Sequence, residues 1–378
     1  MLIKPNAGQP ARIKVIGVGG GGGNAISSMM SEGGIAGVEF VAVNTDAQAL
    51  LHNRAAIKVQ IGEGVTKGLG SGGDPEVGRL AAEESRERIK EELAGCDMVF
   101  ITCGEGGGTG TGAAPIVAEI AKESGALTIA VVTKPFDFEG SRRKNSAMEG
   151  IQKLKEKVDT LIVVPNQKIL QVVDRKTPVL EAFRKIDSVL HQGVKGVAEL
   201  ITVPGLINVD FADVRTIMSN AGTALMGVGI GTGDKRALAA IKMAISSPLL
   251  DTSIEGAKGV LFNVMGGPDL TMAEIDEAAM LITKSVDPDA DIIFGAVIDD
   301  QMVDQIKVTI VATKFDENKL KMFNFRKSSE LLEEKETTFS KVENIKQLAE
   351  NDVVELSDSD SIGDEETEFD IPAFLRKK

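Results

Sequence analysis

Residues 104–112 read Gly104-Glu105-Gly106-Gly107-Gly108-Thr109-Gly110-Thr111-Gly112, and all but Glu105 are Gly or Thr. The stretch follows an apolar run, Met98-Val99-Phe100-Ile101-Thr102, with the character of a buried strand. It opens into Ala113-Ala114-Pro115-Ile116-Val117-Ala118, the start of an amphipathic helix. A strand, a glycine-dense turn and a helix start in that order gather unshielded backbone N–H groups at the positive end of a helix, which makes an anion site. Glycine lets the backbone approach a ligand closely, and the threonine hydroxyls can reach phosphate or metal-bound water. The GxxxxGK[ST] pattern is absent from the chain, so a phosphate bound here is held without a P-loop lysine.

At 378 residues and 43% hydrophobic composition, the chain can build two domains and a tail. Trp and Tyr are absent and Phe is the only aromatic, which leaves little to stack on nucleic-acid bases. A net charge of −14 also argues against nucleic acid as a partner. Cys96 and Cys103 flank one expected strand and match no zinc spacing, so they read as reduced core residues of a cytosolic protein. His52 and His191 are far apart, and no His/Cys cluster suggests a transition metal. The beginning has no signal-peptide pattern and no apolar run reaches membrane-spanning length, so a soluble, cytoplasmic protein is expected.

Outward from the glycine stretch, residues 1–10 read as a flexible leader. Arg12–Val18 is an expected strand running into Gly19-Gly20-Gly21-Gly22-Gly23-Asn24 and a helix through Met30. Gly17 to Gly22 satisfies GxGxxG, and the next strand, Val38–Val43, ends near Asp46, which taken alone suggests an NAD-dependent oxidoreductase. The second glycine loop at Gly104 favours the phosphate reading, because two such loops from neighbouring strands can grip both ends of a nucleoside triphosphate. Strand and helix go on alternating: Lys58–Ile61, a helix over Pro75–Leu93, Met98–Thr102, a helix to Ser124, Leu127–Thr133, a helix over Ser141–Lys155, and Leu161–Val164. Apolar strands between amphipathic helices imply a Rossmann-like α/β fold with a parallel sheet covered on both faces. Five loops then meet at the carboxyl rim: both glycine loops, Asn44-Thr45-Asp46, Gly68–Asp74 and Pro165-Asn166.

Apolar residues at Val179, Phe183, Ile186, Leu190, Val194, Val197 and Ile201 mark a helix over Thr177–Thr202, roughly 39 Å long, ending at Pro204-Gly205. It reads as a central strut before a smaller α/β domain. That domain has expected helices at Val214–Ser219, Asp234–Ala244 and Met272–Lys284. Its expected strands are Ala224–Ile230, Val260–Met265, Ile292–Ile298 and Gln305–Phe315, and Gly227–Gly233 reads as a strand-ending turn. Glu350–Asp370 holds ten acidic residues and no Lys or Arg, the composition of an extended, disordered tether. Apolar residues return at Phe369–Leu375, as in a docking peptide. The expected segments are 11–176, 177–204, 205–316, a charged linker at 317–365 and a terminal peptide at 366–378.

GGGTGTG at the end of a strand is the signature of the tubulin-like GTPases, and its surroundings resemble the FtsZ family of bacterial cell-division GTPases. The resemblance runs over about residues 11–316 and resumes in the last ten. It rests on Gly17–Asn24, Asn44-Thr45-Asp46, Thr66–Gly70, Gly106–Gly112, Pro135–Gly140, Asn208–Arg215 and the terminal Asp370–Leu375. It implies GTP and GDP as ligands, with Mg²⁺ carried on the phosphates. Gly20, Gly21, Gly22, Gly23, Asn24 and Asn44, with Gly104, Gly107, Gly108, Thr109 and Gly110, would bind the nucleotide, its phosphates above all. Ser71, Gly72 and Gly73 would lie beside the γ-phosphate, and Glu139 and Arg143 at the ribose. Asn166, Phe183 and Asp187 would face guanine, where one carboxylate can accept from both N1–H and the 2-amino group and so exclude adenine. Phe183 reads equally well as plain core, and Arg143, within Arg142-Arg143-Lys144, as part of a solvated basic face.

The resemblance also makes Asp210 and Asp213 catalytic, and geometry says how. From Asp187 the long helix runs on about fifteen residues, roughly 23 Å, before their loop begins. They can then serve only a nucleotide held by a second subunit, and such a head-to-tail contact propagates into a filament. Without the resemblance, Asp213 reads as the N-cap of the helix at Val214. The terminal peptide, through Asp370, Ile371, Pro372, Phe374 and Leu375, is implied to bind membrane adaptors such as the actin-like FtsA at the mid-cell division site, so that the membrane is met only indirectly. The alternatives are the NAD-dependent oxidoreductase and a structural filament protein that does not hydrolyse its nucleotide.

Overall fold

The computed structural model describes residues 11–170, 173–174, 176–247 and 253–316. The expected leader, acidic linker and terminal peptide lie outside them. The first half alternates as its apolar pattern demands: β1 (Ile13–Val18), α1 (Gly19–Ser31), β2 (Val38–Asn44), α2 (Ala47–His52), β3 (Ile57–Gln60), α3 (Glu63–Thr66), α4 (Pro75–Glu84), α5 (Arg86–Leu93), β4 (Met98–Gly104), α6 (Thr109–Glu123), β5 (Leu127–Lys134), α7 (Ser141–Lys157), β6 (Thr160–Pro165) and α8 (Asn166–Ile169). The helix expected over Pro75–Leu93 breaks at Ser85, whose hydroxyl leaves the helical pattern to accept the N–H of Gly62 at 3.0 Å.

Strands β3-β2-β1-β4-β5-β6 lie side by side in that order, all parallel. The order turns back between β1 and β4, and in such sheets the crevice outside the carboxyl ends at that point takes the ligand. These two strands are the ones that run into the glycine loops. On one face of the sheet, Ala25, Ile26 and Met29 of α1 pack against Val15, Phe100 and Ile129. On the other, Ala81 of α4, Ile89 of α5, Val117 of α6 and Leu154 of α7 cover Ile16, Val43 and Ile101. Cys96 and Cys103 are buried there as free thiols.

The second half comprises α9 (Val179–Thr202), α10 (Phe211–Met218), β7 (Gly222–Thr232), α11 (Arg236–Ile245), β8 (Gly259–Gly266), α12 (Met272–Ser285), β9 (Asp291–Ile298) and β10 (Gln305–Thr313). Its strands run β7-β10-β8-β9, with β10 antiparallel to both neighbours, and β7 joins β6 over three residue pairs. Leu190, Val194 and Val197 of α9 share one core with Ile129 of β5 and Val311 of β10, so the long helix is packed against both halves of the ten-stranded sheet. The first turn of its apolar stripe departs from expectation: Val179 is 70% exposed and Phe183 43%, because α9 begins at the rim of a cleft rather than in the core.

Gly227, Gly229 and Gly231 are also not the expected turn. They alternate along β7, and a Cβ on any of them would overlap a carbonyl oxygen of α11 (Ala244, Ala240 or Arg236), so their absent side chains let that helix lie directly on the strand. No helix among the described residues is long and apolar enough to cross a membrane.

Candidate functional site: the cleft at the two glycine loops

At the carboxyl rim of the parallel sheet lies a cleft of about 1080 Å³. Its floor is made by the two loops after β1 and β4. Gly17 and Gly22 face each other so closely that a Cβ on either would overlap the other's backbone, and one on Gly22 would also strike the Thr102 carbonyl. These glycines are needed to seat α1 on β4. Gly20 and Gly107 differ: each lines the cleft, and a Cβ there would meet nothing within 4 Å. Their smallness serves whatever enters, not the fold. Gly108 and Gly112 again serve packing, since a Cβ on either would overlap the 71–75 segment that leads into α4.

Three hydroxyls draw separate loops together at this end. Thr109 Oγ1, at the first residue of α6, is 2.7 Å from Thr45 Oγ1 and 3.0 Å from Ser71 Oγ. Thr45 follows β2 and Ser71 lies between α3 and α4, so α6 begins at the junction of three connections. Ser71, Gly104, Gly108, Thr109 and Gly110 line the cleft together with Gly20, Gly21 and Asn24. Asn44 does not: its Oδ1 accepts the N–H of Thr45 at 2.9 Å and shapes the turn beneath. Gly22, Gly23, Gly72 and Gly73 also stand back from the lining, the last two in the left-handed region at φ 60° and 79° beside Ser71.

At the other end, Glu139 accepts the N–H of Phe136 through Oε1 at 2.8 Å and the guanidinium of Arg143 through Oε2 at 2.5 Å, so Arg143 is a paired wall residue. Asn166 is buried, and its Oδ1 has no partner among the described residues, which leaves an acceptor for a ligand. Phe183 stands edge-on to Phe136 at 5.6 Å, is partly exposed and lines the cleft, so it is not plain core. Burial, reinforced by the charge of Glu32, pushes the Asp187 carboxyl up to about 6. A desolvated carboxylate of that kind gains most from donors brought by a ligand.

Asp210 and Asp213 are not in the cleft. The helix beside them starts earlier than expected, at Phe211, and its N-cap is Asp210, whose Oδ1 accepts the N–H of Asp213 at 2.8 Å. Asp213, expected as the cap if not catalytic, stands instead in the first turn. The sequence pattern did not single out Ser27, Ser28 and Ser31 of α1, its C-cap Glu32, Arg54, Glu105, Thr133 and Arg184, all of which line the cleft. A signal existed for α1: polar residues at Asn24, Ser27, Ser28 and Ser31 follow steps of three and four, one face of a helix that starts in a glycine loop.

The comparisons with known proteins agree with this architecture. The sequence matches the Tubulin/FtsZ family, GTPase domain, over residues 12–174 and the FtsZ family, C-terminal domain, over residues 222–316. An empty FtsZ dimer from M. jannaschii is 50% identical, with 81% of this chain and 88% of that chain covered at a TM-score of 0.77. A point mutant of M. jannaschii FtsZ is 51% identical, with 80% and 91% covered at a TM-score of 0.77. The fold alone is shared with CetZ2 from Haloferax volcanii, solved as a GTPγS-bound protofilament, at 21% identity, 86% and 99% coverage and a TM-score of 0.69. The oxidoreductase and non-hydrolysing alternatives find no support in these matches. Two glycine loops at the strand-order reversal, the family matches over both halves and the half-identical relatives lead to one conclusion: the chain belongs to the Tubulin/FtsZ family and is an FtsZ-type polymerising cell-division GTPase.

Proposed function

We propose that GTP lies along the cleft with its phosphates over the loops after β1 and β4, its ribose beside Glu139 and Arg143, and its base between Phe183, Asn166 and Asp187. The reading rests on the division of the cleft: backbone N–H groups and hydroxyls gather at one end, a stacking ring and buried acceptors at the other. Hydrolysis takes place between subunits. α9 carries the chain about 22 Å from Asp187 to Thr202, and Asp210 and Asp213 follow beyond it, outside the cleft of their own subunit. Docked head to tail, they face the γ-phosphate of the next subunit. There a carboxylate accepts a proton from the attacking water as its oxygen bonds to the γ-phosphorus and the bond to the bridging oxygen of GDP breaks.

The hydroxyls of Ser71 and Thr109, which line the cleft, are hard oxygen donors that suit Mg²⁺ held mainly by the phosphates. When bound, the ion neutralises charge on those phosphates. We further propose the segments 11–176, 177–204 and 205–316 as nucleotide domain, strut and second domain. The terminal peptide would tether filaments at mid-cell through adaptors such as FtsA, on the cytoplasmic face of the membrane.

Mixing two defective variants tests the shared site. Asp213→Ala keeps an intact cleft without the catalytic loop, and Asp187→Ala keeps the loop without guanine binding. Catalysis between subunits predicts that the mixture releases phosphate faster than the sum of the two alone. Activity equal to that sum contradicts it.

A further inference from the structure

Beyond the glycine loops the cleft continues between α1 and α9, which pack side by side. Glu32, the residue that ends α1, lines it there. Its Oε2 lies 2.5 Å from Nδ1 of His191, one turn along α9 from Asp187. A carboxylate only accepts, so the ring donates its Nδ1 hydrogen to Glu32. Its other nitrogen, Nε2, is buried without a partner among the described residues, and His191 is only 4% exposed. Burying an unpaired nitrogen costs stability. What the ring does in return is hold one oxygen of Glu32 against the cleft wall. The other oxygen, Oε1, has no hydrogen-bond partner among the described residues. The same carboxylate is close enough to Asp187 to help raise its proton affinity.

We propose that Glu32, held by His191, is a second carboxylate at the base-recognition end of the cleft and accepts a hydrogen bond from the exocyclic 2-amino group of guanine. The inference rests on the reading of the cleft as a guanine-nucleotide site. Guanine presents N1–H and one amino hydrogen side by side, and the single carboxylate of Asp187 takes that pair. The second amino hydrogen then needs an acceptor of its own, and Glu32 supplies it. Asp187 thus separates guanine from adenine, and Glu32 adds discrimination against hypoxanthine, which lacks the amino group. His191 acts through Glu32 and is a positioning residue.

The test compares dissociation constants for GTP and ITP on the full chain, below the concentration at which it assembles. Glu32→Ala weakens GTP about tenfold, the scale of a hydrogen bond to a charged acceptor, and leaves ITP within about twofold. His191→Leu lowers the GTP preference in the same way. His191→Asn, whose amide nitrogen can stand in for Nδ1, restores it. Equal weakening of both nucleotides by Glu32→Ala, or no change in either, overturns the proposal. If His191→Leu does not fold, the half-exposed Glu32 still decides the matter. Asp187→Ala is the control for the underlying reading: undiminished GTP affinity in that variant overturns the nucleotide assignment itself, whereas its loss alongside an unaffected Glu32→Ala rejects Glu32 alone.

Discussion

The carboxylate of Asp210 accepts the backbone N–H of Asp213 at 2.8 Å, so one of the two proposed catalytic acids is also the cap that starts α10. The two residues therefore do different structural work, and their substitutions separate folding from catalysis.

Asp213→Ala removes no cap. It is expected to bind GTP with unchanged affinity, to unfold at the same denaturant concentration and to hydrolyse slowly, leaving longer-lived filaments. Asp210→Ala should hydrolyse slowly and also lose about 1 kcal/mol of stability with its cap. Asp210→Ser should recover the stability and not the turnover. Urea unfolding and phosphate release on the same preparations check all three. Loss of GTP binding in Asp213→Ala would contradict the placement of this loop outside its own cleft.

The glycines divide by what a methyl group would meet. Gly20→Ala and Gly107→Ala place it in open cleft, so both should fold with stability close to the parent and bind GTP poorly. Gly112→Ala drives it into the Pro75 carbonyl and Gly229→Ala into that of Ala240, between packed backbones that cannot yield cheaply. Overpacking of this kind costs about 1–3 kcal/mol or more, measurable as a lowered urea midpoint.

Glu105 sits inside the second glycine loop with its carboxyl buried, Oε1 accepting from the Cys103 thiol at 3.2 Å and Oε2 unpaired among the described residues. Burial outweighs the lowering effects of the Cys103 thiol and the nearby Thr111 hydroxyl and pushes this carboxyl up to about 7. The native state therefore holds this proton more tightly than the unfolded chain does, so the stability it confers is complete below about 4.5 and is lost as the pH rises through about 7. Glu105→Met should abolish that loss and be the more stable protein at pH 8 by a few kcal/mol. Denaturation midpoints of the two proteins between pH 5 and 8 check the crossing of the curves.

Asp187 gives a pH dependence of binding. In the proposed role it must be ionised to accept from the base, and its carboxyl is pushed up to about 6 by burial and by Glu32, with Arg184 on the cleft wall and His191, buried one turn along α9, the other charged or titratable groups near it. GTP affinity is expected to hold at neutral pH and to fall as the pH drops through about 6, a step that Asp187→Asn should lack. Binding isotherms across that range decide it.

Local sequence pattern carried the sheet and its covering helices because apolar runs and glycine turns are local signals. Thus Met98–Thr102 and the loop from Gly104 could be read without any partner. Features set by tertiary contact could not. The break at Ser85 depends on the N–H of Gly62, and the glycine stripe on β7 makes sense only once α11 lies over it. Within the cleft, the residues of the glycine loops were legible, as were Glu139, Asn166, Phe183 and Asp187 through the family resemblance. Thr45 joins Ser71 and Thr109 across three connections, and Glu32 meets His191 across 159 positions, distances over which no spacing in the sequence is informative.

The most direct test of a site shared between subunits is phosphate release from GTP across a protein titration, with light scattering followed in the same sample. The account predicts a threshold concentration at which specific activity and scattering rise together. A specific activity that stays constant down to high dilution, with no link to scattering, would contradict it.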